Sequence, residues 1–149
     1  MLGKNPFIMG CNVLAVRKNG KNYGMTCAWA QMIGFEKIMM LVGEQSDTGK
    51  VLEPGDFVGV SALAKGQEDI STFIGSHHSR KVDKFKDIKH TLIDSAILID
   101  GAKTRSICVV QEILHLDGIE DDNFVILDIF KCDVDKDKEY LIFDDTSIS

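Results

Sequence analysis

The sequence has little proline, few aromatic residues and no long apolar run. Two of its 149 residues are proline, one is tryptophan, and aromatic residues make up 7% of the chain. No run of about 20 apolar residues is found, which argues against a membrane-spanning helix. Lys4, Asn5 and Pro6 stand where the apolar core of a secretory signal would lie. We therefore expect a cytoplasmic protein with no membrane partner.

The chain also lacks an excess of positive charge. Seventeen Lys and Arg residues stand against 23 Asp and Glu residues, which gives a net charge of -6. A protein of this charge has no general electrostatic attraction for nucleic acid, so no nucleic-acid partner is expected. An anionic ligand would have to be held by local groups. One dense basic cluster is present, formed by Arg80, Lys81, Lys84, Lys86 and Lys89.

Familiar metal and nucleotide motifs are missing or incomplete. The four cysteines form no CxxC pair, and the adjacent His77 and His78 have no carboxylate or thiol nearby at ligand spacing, so no metal is expected. Segment 43–50 resembles a P-loop, but five residues separate its glycines and Val51 replaces the Ser or Thr that would reach magnesium. A GxGxxG motif is absent as well.

What the chain does contain is enough apolar residues for a core and a β-rich pattern. Hydrophobic residues make up 44% and charged residues 27%, so residues 1–149 are expected to form one domain. A helix is predicted near 68–74, and one or two helical turns near 80–89. Asn-Gly at 19–20 and Asp-Gly at 100–101 are hairpin signals. Strands are predicted at 11–18, 22–30, 37–43, 57–63, 91–99, 104–116, 124–134 and 140–143.

Seven or eight strands without regular strand-helix alternation favour a mainly β fold, a closed antiparallel barrel capped by short helices. Within it, one predicted strand ends at Val42 and leads into Ser46, Asp47 and Thr48 before a short helical turn. Hydroxyl and N–H groups in this arrangement suit an anion, and they equally suit simple capping of the helix. The residues alone leave both interpretations open.

Four segments together resemble the flavin reductase-like, FMN-binding split β-barrel family. They are NYGMTCAWA at 22–30, KIMMLVG at 37–43, the strand at 57–63 and SRKVDKF at 79–85. Their order and spacing also match, and the resemblance runs from about residue 12 to 134. It implies an antiparallel Greek-key split β-barrel, a homodimer, and FMN or sometimes FAD bound near the subunit interface. Members include NAD(P)H:flavin oxidoreductases and flavoredoxins.

The resemblance also implies which residues bind the cofactor. In the family, the strand matching 24–30 lies along the flavin ring, so its N–H groups and the Thr26 hydroxyl are expected at the ring edge. Trp29 would pack near the ring or, alternatively, in the barrel core, and Cys27 is interpreted as a packing residue. The residues implied for the ring are Met25, Thr26, Cys27, Ala28 and Trp29.

A second set is implied for the ribityl chain and phosphate. It comprises Gln45, Ser46, Thr48, Ser79, Arg80 and Lys84. A dianionic phosphate in a protein of this net charge needs such local cations, and one terminal phosphate without a pyrophosphate motif favours FMN over FAD. Lys86 and Lys89 are interpreted as a solvated surface.

No catalytic side chain is assigned, because Asn123 stands where family reductases often have the His of Gly-Asp-His. Two functions follow from the resemblance. One is an oxidoreductase that passes electrons from NADH or NADPH through FMN to a flavin or a redox protein; the other is a non-enzymatic FMN electron carrier without a nicotinamide site. A flavin-free barrel is the third alternative.

Overall fold

A computed structural model describes residues 6–43, 46–79 and 81–143 of the protein. Within these ranges the chain forms nine strands and two short helices. No helix there is long and apolar enough to cross a membrane. The strands are β1 (Asn12–Lys18), β2 (Lys21–Cys27), β3 (Ala30–Met32), β4 (Lys37–Gly43), β5 (Phe57–Ala62), β6 (His90–Ile93), β7 (Ala96–Ile99), β8 (Thr104–Leu114) and β9 (Asp122–Val134), and the helices are α1 (Asp47–Val51) and α2 (Glu68–Ser76).

The strands form one antiparallel sheet that divides at β1. Its order is β3-β4-β9-β8-β5-β1-β7-β6, and β2 pairs with β1 outside this path. Strand β2 occupies one edge of β1 along its whole length, so β5 and β7 share the other edge. This arrangement is the antiparallel split β-barrel predicted from the sequence.

Strand β1 is buried on both faces because each face contributes to a different core. Leu14 and Val16 belong to the cluster inside the barrel, together with residues of β4, β5, β8 and β9. Val13 and Ala15 point to the opposite side, where they pack with Ile74 of α2 and other residues. Side chains alternate along a strand, so a strand covered on both sides has a nearly continuous apolar sequence.

Three predicted strands differ from the observed ones. The segment predicted at 22–30 divides at Ala28 and Trp29, because the chain turns there to pair with β4 instead of β1. The segment predicted at 91–99 is a hairpin of β6 and β7 with Asp94 in the left-handed region at φ 53°. The segment predicted at 140–143 forms only isolated bridges, of Tyr140 with Ala64 and Ile142 with Gly10.

Two further expectations are wrong for physical reasons. Asp100-Gly101 forms a turn with Gly101 at φ 82°, but no pairing joins β7 and β8 in the described part of the chain. Strand β7 pairs with β1 and β6, while β8 pairs with β5 and β9. The segment 81–89 forms turns, not a helix, since Phe85 and Lys84 are held by contacts with other segments.

Candidate functional site

Two adjoining cavities of about 280 Å³ each lie along β2 and share Met25 and Thr26. We call the first the Trp29 cavity; it is lined by Met25, Thr26, Cys27, Ala28, Trp29, Leu41, Gly43 and Asp122. We call the second the Lys84 cavity; it is lined by Gly24, Met25, Thr26, Ser46, Asp47, Thr48, Ile74, Gly75, His77, His78, Ser79 and Lys84. The two cavities therefore meet at Met25 and Thr26.

The Trp29 cavity is mostly apolar. Trp29 is 58% exposed, so it lies at the surface of the site and not in the barrel core. The backbone carbonyl of Trp29 accepts a hydrogen bond from the Leu41 N–H at 3.0 Å, which fixes the position of this segment against β4. A flat apolar side chain at a cavity mouth offers a stacking surface to a planar ligand.

Cys27 packs in the barrel core, as the family resemblance implied. Its thiol donates to the carbonyl oxygens of Trp29 and Leu41, each at 3.2 Å. Burial raises the pKa of Cys27 from 9.0 to about 11, while these two hydrogen bonds oppose the shift. The thiol is therefore protonated at neutral pH, and a nucleophilic or redox thiolate is not expected here.

The outer edge of β2 presents backbone groups to both cavities. Gly24 receives a hydrogen bond on its carbonyl from Lys84 and donates its N–H to Ser79 Oγ at 3.2 Å, so its polar groups point away from β1. Outward and inward pairs alternate along an antiparallel strand, which directs the Thr26 N–H to the same edge. The Thr26 hydroxyl donates to the Ser71 carbonyl at 3.0 Å, so a ligand would meet it as an acceptor.

Lys84 and Ser79 form the buried polar end of the Lys84 cavity. Lys84 is 5% exposed, and its Nζ donates to the carbonyls of Gly24 at 2.8 Å and Ile74 at 2.7 Å. Among the described residues its third N–H has no acceptor. Burial lowers the pKa of Lys84, and the carboxylate of Asp47 partly offsets this. A cation so placed can donate to an anion entering the cavity.

The short helix α1 closes one side of the Lys84 cavity. Ser46 caps it, since its Oγ accepts from the Gly49 N–H at 2.8 Å and donates to the Gly43 carbonyl at 2.7 Å. Thr48 is 1% exposed and lines the cavity. Capping and cavity lining are therefore combined in this segment: the capping interpretation is observed, and anion binding stays a prediction.

The structure brings most of the residues implied for the cofactor to the two cavities. Gln45 and Arg80 lie outside the described residues. Asn123 lies elsewhere: it is 5% exposed, and its Nδ2 donates to the Gly49 carbonyl at 3.0 Å, which ties β9 to α1. Alternation along β9 directs the neighbouring Asp122 to the other side, into the Trp29 cavity.

Sequence reasoning missed several lining residues. Asp122 and Gly43 meet only because β4 and β9 pair in the register Gly43 to Asp122, which no local pattern reveals. His77 and His78 also line the Lys84 cavity; no cluster of three or more potential metal ligands occurs in the described ranges. The His77 ring packs on Phe73 with centroids 4.2 Å apart.

A larger depression of about 600 Å³ lies apart from this site, near Tyr140 and Leu141. Its rim includes the ion pair of Lys65 and Glu139, whose side chains are 74% and 77% exposed. Exposed pairs of this kind are screened by water and contribute little. The buried Lys84 ammonium and Ser79 hydroxyl make the two cavities along β2 the stronger candidate.

Comparison with known proteins identifies the family of this chain. The family profile described as "Flavin reductase like domain" matches residues 4–148, nearly the whole chain. The protein therefore belongs to the flavin reductase-like family, whose members bind flavin. A comparison with curated protein sequences finds no match.

Solved structures share the fold at low sequence identity. NADH:FAD oxidoreductase SgcE6 from Streptomyces globisporus superposes with a TM-score of 0.83 at 21% identity, covering 93% of this chain and 83% of that one. Flavoredoxin from Methanosarcina acetivorans gives a TM-score of 0.78 at 16% identity, with coverage of 97% and 89%. An FMN-binding protein from Thermus thermophilus gives 0.77 at 17% identity, with coverage of 91% and 80%.

Proposed function

We propose that the protein binds FMN along β2 and serves as a flavin-dependent oxidoreductase. The observation that supports this most directly is that the two cavities meet at Met25 and Thr26, with a mostly apolar lining at the Trp29 end and the buried Lys84 ammonium at the other end. A flavin mononucleotide has the same polarity, with a planar ring at one end and a phosphate at the other. Bound there, the flavin would supply the hydride and electron chemistry.

The protein's own groups would orient that ring and phosphate. The N–H of Thr26 would donate to the polar edge of the ring, and Trp29 would cover part of its face. Lys84, Ser79 and Thr48 would meet the phosphate. Gly24 is required beside them, because a Cβ at this position would collide with the buried Phe85 ring.

The experiment compares FMN with riboflavin, which has the same ring and no phosphate. Titration followed by flavin fluorescence should show tighter binding of FMN to the wild-type chain. Lys84→Met should weaken FMN binding about 10- to 100-fold, as expected for the loss of a charge-assisted hydrogen bond, and leave riboflavin binding nearly unchanged. Lys86→Met is the matched control, since Lys86 is exposed and lines neither cavity.

Equal loss of FMN and riboflavin affinity in Lys84→Met would show that Lys84 supports the fold of the site and does not contact phosphate. Circular dichroism of the variant checks that the barrel is intact. Chromatography of flavin released from the purified protein tests the choice of FMN. Recovery of mainly FAD would overturn it.

The electron route has two candidates. We favour a reductase that takes electrons from NADH or NADPH and passes them to a flavin or a redox protein. A carrier without a nicotinamide site is the second, and the buried position of Asn123 under α1 favours it, because no described histidine lines the Trp29 cavity. Anaerobic mixing of the FMN-loaded protein with NADH or NADPH separates them: rapid loss of flavin absorbance indicates a reductase, and flavin that stays oxidised indicates a carrier.

We further propose a homodimer with the flavin near its interface. Apolar side chains are exposed along and beside the edge strand β3, next to the Trp29 cavity: Trp29 58%, Met32 47%, Ile33 48% and Phe35 102%. Neighbouring exposed apolar residues are typical of interfaces between subunits. Sedimentation over a dilution series tests this. A monomer that keeps full FMN occupancy at nanomolar concentration would refute it.

We also propose a cytoplasmic location, which the thiols support. Cys11, Cys27, Cys108 and Cys132 are all free, and the first three are buried. Free thiols persist in reducing compartments. Fractionation of expressing cells would test this.

A further inference from the structure

The Trp29 cavity contains an acidic group that the proposed function does not use. Of the described residues lining it, Asp122 is the one Asp, Glu, Lys, Arg or His. The only other titratable group there is the Cys27 thiol, whose pKa burial raises to about 11. Among the described residues, the Asp122 carboxylate is therefore the one formal charge at the Trp29 cavity, whereas the Lys84 cavity is lined by both the Lys84 ammonium and the Asp47 carboxylate.

The position of Asp122 is set by backbone contacts on both sides. It is the first residue of β9 and pairs with Gly43, the last residue of β4. Its N–H also donates to the Ile119 carbonyl at 3.0 Å. A Cβ built on Gly43 would lie 3.9 Å from Asp122 Oδ1, so the carboxylate lies over the end of β4 at the cavity wall.

The Asp122 carboxylate is also uncompensated. Within the described ranges it accepts no side-chain or backbone hydrogen bond and forms no ion pair, whereas Asp56 and Asp128 are each paired with a lysine. The electrostatic field of a paired carboxylate is largely cancelled by the opposite charge of its lysine partner. An unpaired one at a half-buried apolar cavity acts on whatever charge enters that cavity.

We propose that Asp122 is a redox-tuning residue, whose charge weakens the binding of reduced flavin relative to oxidised flavin and so lowers the midpoint potential. This inference rests on the proposed function, because it places the ring in the Trp29 cavity. Oxidised flavin has a neutral ring. Two-electron reduction with uptake of one proton leaves the ring with one negative charge, so a fixed negative charge beside it selectively disfavours the reduced form.

A lower midpoint potential changes which electron transfers the bound flavin favours. It makes the bound flavin a better donor to the next acceptor and a poorer acceptor from its own donor. Asp122 thus favours onward transfer of electrons to a flavin or a redox protein.

The experiment measures midpoint potentials of the FMN-loaded protein by spectroscopic titration against a reference dye. Asp122→Asn keeps the size of the side chain and removes its charge. We expect it to change the ratio of affinities for reduced and oxidised FMN about tenfold, which for a two-electron couple raises the potential by about 30 mV. Affinity for oxidised FMN should stay within about threefold, since the oxidised ring is neutral.

Asp121→Asn is the matched control. Asp121 is the neighbouring residue with the same charge, but it is exposed and does not line the cavity. It should shift the potential by less than a third of the Asp122→Asn effect, because exposed charges are screened. Asp122→Ser replaces Asp122→Asn if that variant does not fold.

The outcomes are distinct. A potential that is unchanged or lowered in Asp122→Asn, or an equal shift in Asp121→Asn, overturns the inference while the proposed function stands. Wild-type protein that binds no flavin overturns the proposed function and the inference together.

Discussion

Gly49 is a position where one added methyl group should strongly disturb the candidate site. It lies in α1, and a Cβ there would collide with the Gly43 carbonyl oxygen and come within 2.9 Å of Ser46 Oγ. Relief of the collision requires α1 to move by about 1 Å, which is enough to lose short hydrogen bonds. We therefore expect Gly49→Ala to detach α1 from the end of β4.

The magnitude follows from the contacts at risk. Two hydrogen bonds depend on the position of Gly49: its N–H to Ser46 Oγ at 2.8 Å and its carbonyl from Asn123 at 3.0 Å. Each contributes about 1 kcal/mol, and steric strain in a packed site adds about 1–3 kcal/mol. The better helix propensity of alanine returns about 1 kcal/mol. The net loss of unfolding free energy should be about 2–4 kcal/mol.

The assay is urea denaturation followed by circular dichroism, together with FMN titration of the folded variant. Gly34→Ala is the control, because a Cβ there meets only Lys37 Cβ, at an ordinary 3.5 Å. It should change stability by less than about 0.5 kcal/mol, as surface substitutions usually do. Gly49→Ala with wild-type stability and wild-type FMN affinity would refute this account of α1.

Three further predictions concern single side chains. Asn123→Ala should lower the unfolding free energy by about 1–3 kcal/mol in urea denaturation, since it leaves the buried Gly49 carbonyl unpaired; a neutral result would contradict the tie between β9 and α1. In the unfolded chain the Cys27 thiol ionises above pH 9, whereas burial keeps its pKa in the folded protein at about 11. The free energy of unfolding should therefore be fully retained below pH 9 and fall by up to about 2 kcal/mol between pH 9 and pH 11. Urea denaturation of Cys27→Ala should show a shallower alkaline decline, and an identical one would be inconsistent with this. Trp29→Ala should alter monomer stability by less than about 1 kcal/mol because Trp29 is 58% exposed, yet raise the dimer dissociation constant in sedimentation; unchanged dissociation would exclude Trp29 from the interface.

Local sequence determined the elements whose causes are local. Asn19 and Gly20 adopt φ 52° and 75°, the positive values that a two-residue hairpin needs, so the Asn-Gly signal correctly predicted the turn between β1 and β2. Helix α2 begins with Glu68 and Asp69 and buries Ile74, as the spacing predicted. The barrel class also followed from sequence, because alternation, turns and family resemblance agreed.

Tertiary structure decided which distant segments meet. Asp100-Gly101 predicted a hairpin of β7 and β8, yet β7 pairs with β1 and β8 pairs with β5. The register of β9 on β4 decides that Asp122 lines the Trp29 cavity and that Asn123 does not. The family resemblance implied Lys84 as a cation for phosphate, which stays a prediction, but its burial between Gly24 and Ile74 depends on three segments folding together. Turn and helix signals act over a few residues, whereas strand pairing and burial depend on contacts across the whole chain, so those features emerge only in the folded barrel.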